Sequence, residues 1–381
     1  MPRDDKRKIR VSFRKNRTGR PRRNNWTQAG EEESADTISS ERLSGKGDLT
    51  RHRTVITSAA NADGLRDVDL TQCLAGRVLW TVGANHSAVM LDDGTLRHCS
   101  VRRVLRTRQR ETRNLVVAGD RVFVRPAEGE AGVIERIEPR TSTISRMSGR
   151  FQQILTANVD QAVIVVSADD PPLKLGVVDR FLVGAEKGGV QGIVCINKAD
   201  LVSPVLLQPI AGQYARIGYD VVLVSARLGL GIDELRQRLT GHQSVVAGQS
   251  GVGKSSLLNC VQPGMDLKTG GVSDETGKGT HTTRVAELFR LAGGGWVVDT
   301  PGIRQLMLWD VSPGELEGLF PEFRPYVPEC RFASCSHLVE KECAVQMAVE
   351  RGDISPLRFD SYKRMFNQDD DPAWVRPEDM E

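Results

Sequence analysis

Gln243-Ser244-Val245-Val246-Ala247-Gly248-Gln249-Ser250-Gly251-Val252-Gly253-Lys254-Ser255-Ser256 moves from a short apolar run, through spaced glycines, to a lysine and a pair of serines. Gly248 to Ser255 fits the phosphate-loop spacing G-x-x-x-x-G-K-S in full. The apolar run reads as a strand entering the loop, and Ser255 to Cys260 as the helix leaving it. Glycines at those positions let backbone N–H groups converge on phosphate oxygens, and the helix N-terminus adds positive potential. Lys254 is placed to reach the β- and γ-phosphates, and Ser255 to ligate Mg²⁺. Gly248, Gln249, Ser250, Gly251, Val252, Gly253, Lys254, Ser255 and Ser256 are thus candidate nucleotide-binding residues.

Upstream, strands and helices alternate. Ala162 to Val166, Gly192 to Ile196 and Val221 to Val224 read as apolar strands, and Leu175 to Lys187, Val205 to Arg216 and Ile232 to Leu239 as amphipathic helices. Fully apolar strands between such helices predict a parallel sheet covered on both faces, with ligands at the carboxyl ends of its strands. Asn197-Lys198-Ala199-Asp200 follows one of these strands directly. A carboxylate at Asp200 can accept both the N1 and N2 donors of guanine, which adenine lacks, so a GTP or GDP ligand is favoured over ATP. Asn197 would steady neighbouring loops, Lys198 would lie along the base, and Ser225-Ala226 would bring a backbone amide to it.

Downstream, Trp296-Val297-Val298 leads into Asp299-Thr300-Pro301-Gly302. Asp299 can hold Mg²⁺ through water, and the Gly302 amide can meet the γ-phosphate. Gly270 to Arg284 has the Gly/Ser/Thr-rich composition of a switch loop and contains His281-Thr282-Thr283. One of the two threonines completes the Mg²⁺ shell, Thr283 being favoured. Ile303 stands where many GTPases place a water-orienting glutamine. His281 is the candidate to orient or deprotonate water instead, beside Lys254 and Thr283 as candidate catalytic residues. The guanine-reading residues thus precede the phosphate loop, which is the reverse of the ordinary order. The expected domain is an α/β P-loop GTPase domain with circularly permuted motifs, over residues 148–315.

The rest of the 381-residue chain reads as flanking modules. Residues 1–70 begin with a like-charged stretch, Arg3 to Arg23, whose cations repel one another, and continue as a polar linker. A disordered basic arm able to neutralise RNA phosphates is expected there. Over residues 71–147, Gly76 to Trp80, Ala88 to Leu91, Arg121 to Val124 and Gly132 to Ile137 read as short strands separated by turns. They predict an OB-type β-barrel, with Arg102 to Arg110 as a basic loop for RNA, although another small β domain would fit the same alternation. Over residues 316–381, Cys330-x4-Cys335-x-His337-x5-Cys343 offers three thiolates and an imidazole, the ligand set of a closed tetrahedral zinc site. Apolar residues around it are few, so metal is expected to supply folding energy. Ala344 to Met365 reads as helical with breaks near Gly352 and Pro356, followed by an acidic tail. The other four of the seven cysteines read as buried small apolar groups. No apolar run approaches the roughly 20 residues that span a bilayer, and no secretory leader is evident, so a cytoplasmic protein without membrane partners is expected.

These motifs, in this order, resemble the bacterial ribosome small-subunit-dependent GTPase A family over roughly residues 71–365. The hydrophobic residue after Gly302 agrees with that family as well. The resemblance implies an OB domain, a permuted GTPase domain and a C-terminal zinc-binding α-helical domain. It also implies a late maturation factor of the small ribosomal subunit, acting as a monomer. Such a protein would bind rRNA, hydrolyse GTP when docked, and promote release of other assembly factors. The basic N-terminal arm is not part of the family pattern. A second class, an RNA-binding chaperone that holds GTP only as a ligand, is motivated by the missing glutamine.

Overall fold

The computed structural model describes residues 6–12, 43–44, 52–58, 69–83, 86–102, 105, 115–148, 151–265, 267, 286–299 and 311–369. They fall into two compact units, Met1–Arg140 and Thr141–Glu381. The division precedes the 147/148 boundary expected from sequence, and the GTPase region and the cysteine-rich region share one unit.

In the first unit, strands β1 (Lys6–Ser12), β2 (Leu43–Ser44) and β3 (His52–Ser58) form an antiparallel sheet in the order β1-β3-β2. This corrects part of the expected disordered arm. His52-Arg53-Thr54-Val55-Ile56-Thr57-Ser58 is rich in β-branched residues, whose χ1 stiffness suits extended backbone. It pairs residue for residue with Lys6–Ser12. The remainder of residues 1–68 lies outside the described residues.

Strands β4 (Leu74–Val82), β5 (His86–Leu91), β6 (Leu96–Val101), β7 (Arg121–Pro126) and β8 (Ala131–Ile137) close into a barrel in the order β4-β5-β6-β8-β7. β7 returns to β4, and β6–β8 is a parallel pair among antiparallel ones. This is the five-stranded Greek-key arrangement of an OB-type barrel. Its core is built from Val78, Val89, Leu91, Val122, Val124 and Ile134, alternate inward positions of the strands. Arg102 was expected on a basic surface loop. It is buried, and its Nη1 donates to both oxygens of Glu135 at 2.8 and 2.6 Å. Residues 103–104 and 106–114 of that basic segment lie outside the described residues.

In the second unit, the hairpin β9 (Thr143–Ser148) and β10 (Phe151–Ala157) precedes the main sheet. The sheet contains β11 (Gln161–Ser167), β12 (Gln191–Asn197), β13 (Asp220–Leu223), β14 (Gln243–Ala247), β15 (Glu287–Arg290) and β16 (Trp296–Asp299). The order is β13-β12-β11-β14-β16-β15, parallel except for the β15–β16 hairpin. Every residue of β11 is buried, as a strand covered on both faces requires. Helix α1 (Leu175–Lys187) covers one face, with Leu182 against Gly192. The other face packs against α3 (Ile232–Leu239) and α4 (Lys254–Val261), through Leu235, Leu239, Leu257 and Leu258. Helix α2 (Pro204–Arg216) links β12 to β13. Cys195 is inside this core, where burial pushes its thiol up to about 12, and Cys99 is inside the barrel core. From β11 the chain first builds outward through β12 and β13, then crosses to β14 on the opposite side. That reversal between β11 and β14 is a topological switch point.

The C-terminal lobe contains α5 (Pro313–Leu316), α6 (Ala344–Glu350) and α7 (Pro356–Asn367). Its core corrects the expectation that apolar residues around the cysteines are few. Phe320, Phe323 and Tyr362 are fully buried, with ring centroids 5.0 to 5.5 Å apart. Cys335 and Cys343 pack into the same core, and so does Val183 of α1. The lobe therefore shares apolar surface with the helix that backs the parallel sheet. At this junction Arg358 of α7 is fully buried. Its guanidinium donates to Asp179 of α1 at 2.6 Å and to Glu322 at 2.6 Å. Burial opposes the charge on Arg358, and the carboxylates of Asp179 and Glu322 more than offset it, so its pKa is raised. Residues 370–381, the expected acidic tail, lie outside the described residues.

Candidate functional site

All five parallel strands of the main sheet end on the same side. Topology alone therefore brings the loop after β14, the loop after β12 and the loop after β13 to one crevice. The phosphate loop owes its path to two close approaches. Gly248 has φ +146°, and a Cβ there would lie 2.1 Å from the carbonyl oxygen of Val165. Gly253 has φ +90°, and a Cβ there would meet Asn197 Nδ2 at 2.4 Å. Only glycine fits both positions. Lys254 opens α4, and its Nζ donates to the carbonyls of Gly248 at 2.8 Å and Gln249 at 2.5 Å. The lysine is thus held across its own loop.

Asn197 is the last residue of β12 and is buried. Its Nδ2 donates to the carbonyl of Val252 at 2.8 Å, and its Oδ1 accepts from the Ala226 N–H at 3.2 Å. One amide side chain therefore ties the phosphate loop to the loop after β13. Lys198 adopts a left-handed conformation, φ 57°, and its ammonium donates to the Asp170 carbonyl in the loop after β11. The next N–H, that of Ala199, bonds the Val224 carbonyl at 3.0 Å. Asp200 Oδ1 accepts from Ser225 Oγ at 2.6 Å, and Oδ2 accepts from Arg227 Nη2 at 2.7 Å. The Ser225 hydroxyl is the largest influence holding the Asp200 carboxyl below its ordinary range, with Arg227 adding to it. Asp200 is therefore ionised and fixed near neutral pH. Asn197, Lys198, Asp200, Ser225, Ala226 and Arg227 line a cavity of about 310 Å³ together with Gly253 and Ser256 of the phosphate loop. That is the lower end of the range for small-molecule sites.

In the C-terminal lobe, Cys330, Cys335, His337 and Cys343 converge, with their ligating atoms within 4.8 Å of one another. Cys330 Sγ lies 3.9 Å from Cys343 Sγ and 3.5 Å from His337 Nδ1, and Nδ1 lies 3.3 Å from Cys343 Sγ. Zinc–sulfur bonds of about 2.3 Å and zinc–nitrogen bonds of about 2.0 Å, tetrahedrally arranged, separate ligand atoms by about 3.5–3.8 Å. The four residues therefore fit a structural zinc ion. His337 turns Nδ1 to the thiols, and its Nε2 meets Glu317 Oε2 at 2.7 Å. Nε2 then carries the proton, and Glu317 sets the tautomer and ring orientation, as carboxylates beside metal-ligating histidines do.

Residues 137–309 match the family described as RsgA GTPase. A relative from Gemmatimonas aurantiaca, named small ribosomal subunit biogenesis GTPase RsgA, is 44% identical over 258 residues, covering 66% of this chain and 84% of the relative. A relative of the same name from Chlorobaculum parvum is 40% identical over 314 residues, covering 79% of this chain and all of the relative. The chain belongs to the RsgA GTPase family.

Among solved structures, YjeQ from Thermotoga maritima aligns with a TM-score of 0.66 at 35% identity, over 78% of this chain and 98% of its own. YloQ, described as a circularly permuted GTPase, aligns with a TM-score of 0.63 at 31% identity, over 80% of this chain and 97% of its own. Barrel, permuted GTPase fold and Cys₃His cluster agree with the architecture expected from sequence. As an RsgA GTPase, the chain hydrolyses GTP.

The RsgA fold brings Asn197, Lys198, Asp200, Ser225, Ala226, Gly253 and Ser256 to one cavity. Gly248, Gln249, Ser250, Gly251, Val252, Lys254 and Ser255 follow at the carboxyl end of β14. Ala226 directs its N–H to Asn197. Asp299 closes β16, on the same side of the sheet. His281, Thr282, Thr283 and Gly302 lie outside the described residues. Sequence reasoning missed Glu317, Arg227 and the Asp179–Arg358 pair. A carboxylate 13 residues before Cys330 carries no spacing signal, and Arg227 offered only its place directly after Ser225-Ala226.

Proposed function

We propose that this chain is a GTPase of small ribosomal subunit biogenesis, stimulated by the subunit on which it acts. The observation that carries the nucleotide half of this reading is the set of bonds from Asn197 to Val252 and Ala226, which locks the guanine-reading loops onto the phosphate loop. The relatives' names and the OB-type barrel support the ribosomal half. Asp200 accepts the N1 and N2 protons of guanine, and Lys198 flanks the base. Gly248 to Ser256 enclose the phosphates, with Lys254 turning from its own carbonyls to the β- and γ-oxygens. Ser255, Asp299 and Thr283 are an all-oxygen donor set that suits Mg²⁺. When bound, the ion neutralises charge on the β- and γ-phosphate oxygens. Water attacks the γ-phosphorus while the bond to the β-phosphate oxygen breaks, and His281 orients that water and takes up its proton. The Gly302 amide meets the γ-phosphate. Cys330, Cys335, His337 and Cys343 would hold a structural zinc ion, which would close the loop that joins them.

The protein works as a cytoplasmic monomer, contacts rRNA through barrel and N-terminal arm, and promotes departure of other assembly factors after hydrolysis. No helix among the described residues is long and apolar enough to cross a membrane. The experiment is GTP turnover of the full chain with and without isolated small ribosomal subunits, for wild type and His281→Ala. Large stimulation of wild type, lost in the variant while GTP affinity is kept, supports the proposal. GTP binding with no turnover on the subunit supports instead an RNA-binding chaperone that uses GTP as a ligand. Unchanged stimulated turnover in His281→Ala removes the role given to that residue.

A further inference from the structure

Both oxygens of Asp200 are engaged by side chains of the loop after β13, and the two engagements are not alike. Ser225 is fully buried, and its hydroxyl also accepts the Leu228 N–H at 3.1 Å while it donates to Oδ1. It is a fixed part of the loop. Arg227 reaches Oδ2 from solvent: its side chain is 73% exposed, that of Asp200 6%. Arg227 and Asp200 line the same cavity.

Guanine presents two donors, N1–H and N2–H, to a carboxylate that reads it. Ser225 can stay in place, since each carboxylate oxygen has more than one acceptor site. The exposed Arg227 guanidinium, in contrast, holds an acceptor site of Oδ2 that a base donor can use. We infer that Arg227 is an internal competitor for the guanine-reading carboxylate, and that its departure from Asp200 is a step in nucleotide binding that sets affinity for guanine nucleotides. The inference rests on the reading of Asp200 as the base acceptor. An ion pair with one partner in solvent is worth little, so the competition tunes affinity and does not block it. The expected effect is about two- to five-fold in the dissociation constant. The competition also fades with salt, because the pair is open to counterions.

The test is the dissociation constant of a fluorescent GDP analogue for wild type and Arg227→Ala across ionic strength. The phosphate contacts are common to both proteins, so the ratio of the two constants removes their salt dependence. Arg227→Ala should bind about two- to five-fold more tightly at low salt. The ratio should approach one near 1 M, where the screening length is about 3 Å. Weaker binding by the variant would make Arg227 a nucleotide ligand and overturn the inference. Equal binding at all salt concentrations, or a gain that persists at high salt, would overturn it too. Asp200→Asn, assayed with GDP and xanthosine diphosphate, keeps the two failures apart. A shift of preference to the xanthine nucleotide upholds the base reading whatever Arg227 does, and retained guanine selectivity defeats that reading itself. With xanthosine diphosphate on Asp200→Asn, adding Arg227→Ala should change nothing, because the pair is already broken.

Discussion

The loops after β12 and β13 and the Cys₃His lobe solve the same problem by different means. Each must hold polar side chains in fixed positions on short, irregular backbone. At the strand-end loops the support is the parallel sheet. Asn197 leaves the last position of β12, so its place is set by strand register before any side chain bonds form. The bonds to Val252 and Ala226 then join loops whose starting points the sheet has already fixed. The lobe has no sheet among its described residues. It relies on aromatic packing around Tyr362, on the buried Arg358 cluster, and on the ligand set that zinc would join. A site on strand ends needs few side chains to support it, whereas a site on loops needs a core of its own.

Cutting the lobe's charged anchor gives the largest expected effect. Arg358→Ala leaves Asp179 and Glu322 facing each other without their cation, so a loss of about 3–5 kcal/mol in denaturant unfolding is expected. Arg358 also lies over the Phe320 ring at 4.5 Å, and that packing goes with it. Replacing the cluster together, Arg358→Met with Asp179→Leu and Glu322→Gln, should recover much of the loss, because no buried charge is then left alone. A loss below about 1 kcal/mol in the single variant would show that aromatic packing alone holds the lobe.

Next comes the tie between Glu317 and His337. Glu317→Gln keeps an acceptor for the Nε2 proton and removes the charge. Zinc affinity, measured by competition with a chelating dye, should fall about 10- to 100-fold. Guanine nucleotide affinity should not change, since the sheet supports that end independently. A matching fall in nucleotide affinity would break the contrast between the two regions.

The same contrast explains what the sequence made legible. Apolar runs such as Ala162 to Val166 and Gly192 to Ile196 announce buried parallel strands, and local spacing announces both the phosphate loop and the Cys₃His cluster. The order of those motifs is enough to see the permutation. What sequence hid is everything that depends on distant partners. Asp179 and Arg358 meet across 179 positions, and neither has a local pattern that marks it as buried. Arg102 looked like one cation in a basic run until Glu135, 33 residues away, gave it a place inside the barrel. The aromatic core of the lobe has no local signature, because Phe320 and Phe323 meet Tyr362 of α7 only in the folded lobe. β1 and β3 were hidden by the charge of one and by the long connection between them.

The smallest expected effect sharpens the comparison most. Asn197→Ala removes the donor to Val252 and the acceptor for Ala226, leaving a carbonyl and an N–H short of a partner. At a strand end, the fold itself has little to lose, because β12 remains paired with β11 and β13 on either side. The loops lose their register with each other instead. Nucleotide affinity should fall about ten-fold, the equivalent of two lost hydrogen bonds at about 0.7 kcal/mol each. The thermal midpoint without nucleotide should move by only a few degrees. Asn197→Asp is the stricter variant: it keeps Oδ1 for the Ala226 N–H but sets a charged oxygen against the Val252 carbonyl, so its affinity should fall at least as far. If either variant instead lost stability and kept its affinity, Asn197 would serve the sheet and not the site, and the two regions would be supported alike.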